Sequence, residues 1–308
     1  MSDERIREAA MTDLWNVWFC ELHNKQVGLN VKVERFIYSG NSPFQEINIL
    51  ETKEFGKMLV LYGSIMTTEK DEFIYHEMLA HVPMGAHPDP RNVLIIGGGD
   101  GGTLREVLKH PTVERATLVE IDRMVVETCR QYLPTIGTSF DHPKARILFE
   151  DGDKFLDTGS EQFDVILVDA SDPIGPAEVL FQRAFHQKVA RCLRPDGIFV
   201  TQSESPLYHQ KTVQALYRNL SEIFPTVRLY HAYVPTYPSG MWSFTFCSKQ
   251  YGPFDRFDPA APRWKGVEAR YYNAEIHRAA FALPGFMKVL TEPTPVRVLD
   301  WAPPRPVA

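Results

Sequence analysis

Leu29, Val31 and Val33 alternate with Asn30 and Lys32, which predicts a strand with one buried face. Runs at 45–50 and 58–61 predict further strands, with Gly40, Gly56 and Gly63 at the turns between them. Residues 13–75 therefore read as a small, antiparallel β region. From 72 to 81 the period changes: Phe73, Tyr75, Met78, Leu79 and Val82 recur at helical spacing. Pro83, Pro88 and Pro90 then punctuate the chain, so the boundary is placed at 80, with an N-terminal domain over 1–80 and a second over 81–308.

The second domain opens on four branched apolar residues, Val93, Leu94, Ile95 and Ile96, which predict a fully buried strand. Gly97, Gly98, Gly99, Asp100, Gly101 and Gly102 follow as a turn, and Leu104, Val107 and Leu108 as a helix face. Strand, glycine-rich turn and helix together open a nucleotide-binding βαβ unit. The alternation continues. Strands are predicted at 116–119, ending at Glu120; at 145–149, ending at Glu150-Asp151-Gly152; at 163–168, ending at Asp169; and at 197–201, ending at Gln202. Helices are predicted around Val125, Cys129 and Tyr132, over 182–193 and over 210–223, with two last strands at 227–234 and 242–247. These elements predict an α/β chain whose larger part is a mostly parallel, doubly wound, Rossmann-like sheet. Ligands in such sheets sit beyond the carboxyl ends of the strands. That rule brings Asp100, Glu120, Asp151, Asp169 and Gln202 to one edge.

Composition narrows the ligand. The 308 residues are 44% hydrophobic and 23% charged, as a globular protein requires, and the net charge of −6 argues against a nucleic-acid partner while suiting a cationic small molecule. Cys20, Cys129, Cys192 and Cys247 form no CxxC pair, so a structural zinc is not expected and free thiols in a reducing compartment are. The start of the chain is polar with no apolar run behind it, and no stretch of 18 apolar residues occurs, which predicts a cytoplasmic protein with no membrane contact. The tail over 293–308 holds Pro293, Pro295, Pro303, Pro304 and Pro306 and is expected to run irregularly over the surface.

Glu120, about 20 residues beyond the glycine turn, stands where a carboxylate accepts ribose hydroxyls. Asp151 and Gly152 suit an adenine: the carboxylate can accept the exocyclic amine, and glycine lets a backbone N–H approach. Asp100, at the tip of the loop, would repel a pyrophosphate resting on the helix N-terminus. The three together describe adenosine without a phosphate anchor, and an S-adenosyl sulfonium fits better than NAD. The carboxylate of S-adenosylmethionine would meet Asp100 as a like charge, whereas the decarboxylated compound offers only an ammonium there. The segment 169–181, Asp-Ala-Ser-Asp-Pro-Ile-Gly-Pro-Ala-Glu-Val-Leu-Phe, follows a buried strand and suits a structured loop over the site. Its two acids, Asp169 and Asp172, suit a diamine: one can take the proton of the attacking nitrogen while the other holds an ammonium.

At this point the sequence resembles the spermidine synthase, or polyamine aminopropyltransferase, family. The resemblance runs from about Leu14 to Pro284. It rests on Gly-Gly-Gly-Asp-Gly-Gly at 97–102, Asp-Ala-Ser-Asp-Pro-Ile-Gly-Pro-Ala-Glu at 169–178, Tyr75-His76-Glu77, and Pro-Thr-Tyr-Pro-Ser-Gly at 235–240. It implies that Gln45, Asp100, Glu120, Asp151 and Gly152 hold decarboxylated S-adenosylmethionine, with His76 and Asp100 at its aminopropyl end. It implies Asp169 as the base, assisted by Tyr75 and Tyr237, and a diamine tunnel lined by Asp172 and Gln202 with Trp18 at its far end. The donor is a co-substrate, and neither a cofactor nor a metal is expected, since the sulfonium is itself a good leaving group. The family also implies a homodimer, or a homotetramer built through the N-terminal β domain. Two positions depart from the family pattern: Leu61-Tyr62-Gly63 stands where Leu-Asp-Gly is common, and Ala170 where Ser or Thr is frequent. Tyr62 is expected to reshape the mouth of the pocket, which bears on the choice of amine.

The expected reaction is aminopropyl transfer to putrescine, giving spermidine and 5′-methylthioadenosine. Cadaverine, agmatine or spermidine as acceptor would use the same residues. A small-molecule methyltransferase on the same fold is the rival enzyme, and a polyamine-binding protein without turnover the rival from another class.

Overall fold

A computed structural model describes residues 16–292 apart from positions 25, 160 and 174; the proline-bearing tail from Pro293 lies outside the described residues. The N-terminal part is a five-stranded antiparallel meander, β1 (Trp18–Leu22), β2 (Gly28–Asn41), β3 (Glu46–Thr52), β4 (Gly56–Leu61) and β5 (Ser64–Thr68), paired in that order. Strands β1 and β5 carry too short an alternation to be predicted: β1 follows Val17 with Phe19 as its one strongly apolar partner, and β5 is Ser-Ile-Met-Thr-Thr. On one face of the meander, Val31, Val33, Leu50, Met58, Val60 and Ile65 form a small core. On the other, Ile47, Ile49, Leu59 and Leu61 pack against Val125, Cys129, Leu133 and Ile136 from the second sheet's layer. This burial sets the two parts face to face.

Helix α1 (Glu72–Ala86) follows at once, and all but one of its residues are buried. A helix buried on nearly every side belongs inside a core, and α1 packs against three strands of the larger sheet, Phe163–Asp169, Leu193–Gln202 and Thr226–Tyr233. Its polar residues are paired accordingly. Glu77, for instance, accepts the backbone N–H groups of Arg270, Tyr271 and Tyr272, each at 2.8 Å.

The larger sheet has seven strands. Their ranges are β6 (Asn92–Gly97), β7 (Arg115–Glu120), β8 (Ala145–Phe149), β9 (Phe163–Asp169), β10 (Leu193–Gln202), β11 (Thr226–Tyr233) and β12 (Met241–Ser248). They lie in the order β11-β12-β10-β9-β6-β7-β8. Strands β10, β9, β6, β7 and β8 are parallel, while β12 runs antiparallel between β10 and the edge strand β11. The intervening helices are α2 (Gly102–Leu108), α3 (Arg123–Tyr132), α4 (Gly152–Asp157), α5 (Arg183–Cys192) and α6 (Gln210–Ser221). Two short helices, α7 (Ala274–Ala279) and α8 (Gly285–Lys288), close the described chain. From β6 the chain winds outward through β7 and β8, then returns to β9 on the other side. The strand order therefore reverses between β6 and β9, where Gly97 pairs with Asp169. An open α/β sheet binds its ligand at such a switch point.

Candidate functional site

The switch point is built by close backbone approach. Gly97 has φ +82°, and a Cβ there would lie 2.2 Å from the carbonyl oxygen of Asp169. Gly98 donates its N–H to that same oxygen at 2.8 Å. The loop after β6 is thereby locked to the end of β9, and Asp100 and Asp169 face one cavity. That cavity is lined by ten of the residues singled out from the sequence: Gln45, Tyr75, His76, Asp100, Glu120, Asp151, Gly152, Asp169, Asp172 and Tyr237.

Each is held by its own element. Asp151 caps α4, accepting the N–H of Asp153 at 2.9 Å. Glu120 ends β7 and accepts the N–H of Asp122 at 2.8 Å. Asp122 in turn caps α3 and accepts the side-chain amide of Gln45 at 3.0 Å, so a residue of the N-terminal sheet is fixed against the larger domain. Tyr75 and Tyr237 approach to 5.6 Å between ring centroids. Tyr237 donates to the Met66 carbonyl at 2.5 Å, and Thr236 beside it donates both its N–H and its hydroxyl to Asp71, at 3.0 and 2.7 Å. The 235–240 loop is thus tied to the start of α1, the helix that presents Tyr75 and His76.

The electrostatics follow from burial and pairing. Asp100 is drawn upward by burial, but the charge of His76, with its hydrogen bond and that of the Gly102 N–H, holds the carboxyl below its usual range. Asp169 is pushed up by burial and by Asp100, although the Thr103 hydroxyl donates to it at 2.6 Å. One nitrogen of His76 and one oxygen from each of these two aspartates all lie within 4.8 Å of one another. Burial raises Glu120 to about 7. Burial and the charge of Asp169 raise the Tyr75 phenol, and Tyr237 is raised in the same way.

Two residues singled out from the sequence stand elsewhere. Gln202 is buried but not among the cavity's lining residues: its amide donates to the carbonyls of Ala170 and Ser171, at 3.2 and 3.4 Å, and so supports the loop from behind. Trp18 is 52% exposed and donates to Asn16 at 3.1 Å, because alternation along β1 turns its ring outward. The residue of β1 that does reach the cavity is Glu21, three positions on, raised by burial to about 7 while accepting the Ile65 N–H at 3.0 Å. Sequence reasoning missed it because β1 was not predicted; a lone acid inside a strand is the signal that would have found it. Also missed was Glu204, fully buried two residues beyond the end of β10 at φ +72°. It lies 2.8 Å from His209 and, after burial, is the main reason Asp172 rises to about 7. Glu21 and Asp172 line the end of the site nearest the N-terminal sheet and make it acidic, with Glu204 buried beside Asp172 and outside the lining residues. Tyr62 lines the mouth, 63% exposed in a turn where both it and Gly63 have positive φ.

Known proteins share this fold. Residues 72–256 match the spermine/spermidine synthase domain, and residues 17–69 match the spermidine synthase tetramerisation domain. The chain is 46% identical over 273 residues to a polyamine aminopropyltransferase of Shouchella clausii, covering 89% of this chain and 98% of that one. It is 48% identical over 276 residues to the polyamine aminopropyltransferase of Caldicellulosiruptor saccharolyticus, covering 90% and 98%. Among solved structures, a spermidine synthase in complex with the transition-state analogue AdoDATO superposes with a TM-score of 0.87 at 46% identity, over 91% of this chain and 97% of that one. The spermidine synthase of Thermotoga maritima superposes with a TM-score of 0.86 at 46% identity, over 91% and 96%. Among the described residues, no helix is long and apolar enough to cross a membrane.

Proposed function

Because this chain belongs to the spermine/spermidine synthase family and is an aminopropyltransferase, we propose that it transfers the aminopropyl group of decarboxylated S-adenosylmethionine to putrescine. The products are spermidine and 5′-methylthioadenosine. The observation that carries this reading is the pair of aspartates at the switch point: Asp100 held ionised and Asp169 raised, both facing one cavity.

In this reading Glu120 accepts the ribose hydroxyls, Asp151 and Gly152 meet the adenine, and Gln45 closes over the nucleoside. Asp100 receives the donor's ammonium, and His76 stands beside Asp100 at the aminopropyl end. The diamine lies toward Glu21 and Asp172, whose carboxylates suit its distal ammonium, with Glu204 buried beside Asp172 and Gln202 supporting the loop. The proximal nitrogen loses its proton to Asp169, whose raised affinity for a proton fits a general base. Its lone pair then attacks the methylene next to sulfur in line, the C–S bond breaks, and the bonding pair leaves with sulfur as a neutral thioether. Tyr75 and Tyr237 hold the nitrogen on that line, and such positioning is worth several kcal/mol of barrier. The donor is a co-substrate, and no cofactor or metal is assigned a role. We further read the protein as a cytoplasmic homo-oligomer that uses its N-terminal sheet for assembly, as the name of the domain matched by 17–69 suggests.

The experiment is a panel of amines offered with the decarboxylated donor, read by 5′-methylthioadenosine release. Putrescine is expected to give the highest kcat/KM. A higher value with cadaverine, agmatine or spermidine would reassign the acceptor and point to Tyr62 and the acidic end as its cause.

A further inference from the structure

Helix α1 presents Glu72 and His76 four residues apart, on one face. The His76 ring lies between two carboxylates: Nδ1 is 2.6 Å from Glu72 Oε2, and Nε2 is 3.2 Å from Asp100 Oδ2. An ionised carboxylate has no proton to give, so each ring nitrogen must bring its own, which only the imidazolium form can do. The ring packs directly over Gly102, where a Cβ would come within 2.3 Å of Cε1 and Nδ1. Glu72 is held in turn by α2. Arg105 Nη2 reaches both of its oxygens, at 3.0 and 2.8 Å, while Arg105 Nε donates to Glu106 at 2.8 Å. Glu72 and His76 are buried, and Arg105 is 15% exposed, so this chain of charges is little screened by water.

We propose that Glu72, fixed by Arg105, is a positioning residue for the transfer: it keeps His76 doubly protonated against Asp100. This rests on reading the cavity as the site of aminopropyl transfer. The groups that face the ring are Glu72 and Tyr75 from α1, Asp100 and Gly102 from the glycine loop, Arg105 behind Glu72 from α2, and Asp169 from β9. Two aspartates sharing one cavity repel each other, and one of them would take up a proton if nothing compensated. The imidazolium supplies that compensation, leaving Asp100 charged for the donor's ammonium and Asp169 free to accept a proton. Neither Glu72 nor Arg105 is among the residues lining the cavity: Glu72 acts through His76, and Arg105 acts through Glu72 and through its own charge on Asp100.

The test is the pH profile of kcat/KM for Glu72→Gln. Without the charge of Glu72 the ring becomes neutral, the aspartates hold protons to higher pH, and the acid limb should move up by about 1 unit. Activity should return toward the native level above that limb. Arg105→Met should shift the limb in the same direction, and Arg105→Lys, which keeps the charge, should restore much of it. Binding of 5′-methylthioadenosine, which lacks the aminopropyl group, should change by less than about threefold. A uniform fall in rate with the limb unmoved would overturn the proposal and make Glu72 merely structural. Nitrogen NMR of the His76 ring in the native protein tests it without any variant: both nitrogens should be protonated at pH 8, and a neutral tautomer would overturn it. If the native protein transfers no aminopropyl group, the functional reading fails while the NMR result still decides the charge of the ring.

Discussion

Replacing Asp100 with Asn removes the carboxylate that sits between the Gly102 N–H and His76 Nε2 while keeping its size. A carboxylate and an ammonium about 4 Å apart attract by roughly 4 kcal/mol at an effective dielectric of 20, and the amide oxygen of Asn would retain part of that as a neutral hydrogen bond. The net loss for the decarboxylated donor should be on the order of 2–3 kcal/mol, or about 30- to 150-fold in Kd. The positive His76 ring, no longer matched by Asp100, repels the same ammonium and acts in the same direction. S-adenosylmethionine carries a carboxylate beside that ammonium, so it loses less and gains the company of His76. The ratio of the two donors' affinities should therefore fall, by about 30- to 150-fold where S-adenosylmethionine loses nothing, measured by calorimetry with each donor on native and Asp100→Asn protein. If both donors weaken by the same factor, Asp100 selects between them by shape or not at all, and the charge argument is refuted.

Asp169→Asn should lower kcat by about 100- to 10,000-fold with 5′-methylthioadenosine affinity nearly unchanged; a near-native kcat would remove Asp169 as the base. Gly97→Ala puts a methyl group 2.2 Å from the Asp169 carbonyl at φ +82°, so it should cost more than about 1 kcal/mol of stability and lower the melting temperature. An unchanged melt would mean that β6 and β9 are not locked as described. Glu21 is raised from 4.5 to about 7, so the folded state binds its proton more tightly than the unfolded chain does. That contribution to stability is complete below pH 4.5 and lost as pH rises through 7, an effect of at most roughly 3 kcal/mol. Urea melts of Glu21→Gln should show a smaller drop between pH 5 and pH 8 than native protein shows, and an equal drop would contradict the burial of this charge.

Much of the site was legible because parallel strands announce themselves. Val93–Ile96, Leu118–Val119 and Val165–Val168 are continuous apolar runs, and Glu120 and Asp169, which end two of them, and Asp100, in the glycine turn after the first, are ligand candidates by position alone. The acidic end was not legible. Glu21 lies on a strand of five residues whose alternation is broken by Cys20 and an inward acid, and Glu204 owes its place to a left-handed backbone residue that no periodicity signals. Trp18 shows the limit of a role implied by resemblance alone: the register of β1 turns Glu21 rather than Trp18 toward the cavity. Gln202 shows a similar limit, since its amide is spent on the carbonyls of Ala170 and Ser171. The Glu72–Arg105 pair joins residues 33 positions apart through the packing of α1 on α2, and only the tertiary structure brings them together.

Product analysis tests the central claim most directly. The protein is incubated with putrescine and each sulfonium donor in turn, and all products are identified by mass. Spermidine and 5′-methylthioadenosine should appear in equal amounts from decarboxylated S-adenosylmethionine, with no methylated amine from S-adenosylmethionine. Methyl transfer from S-adenosylmethionine, with no 5′-methylthioadenosine from the decarboxylated donor, would contradict the account.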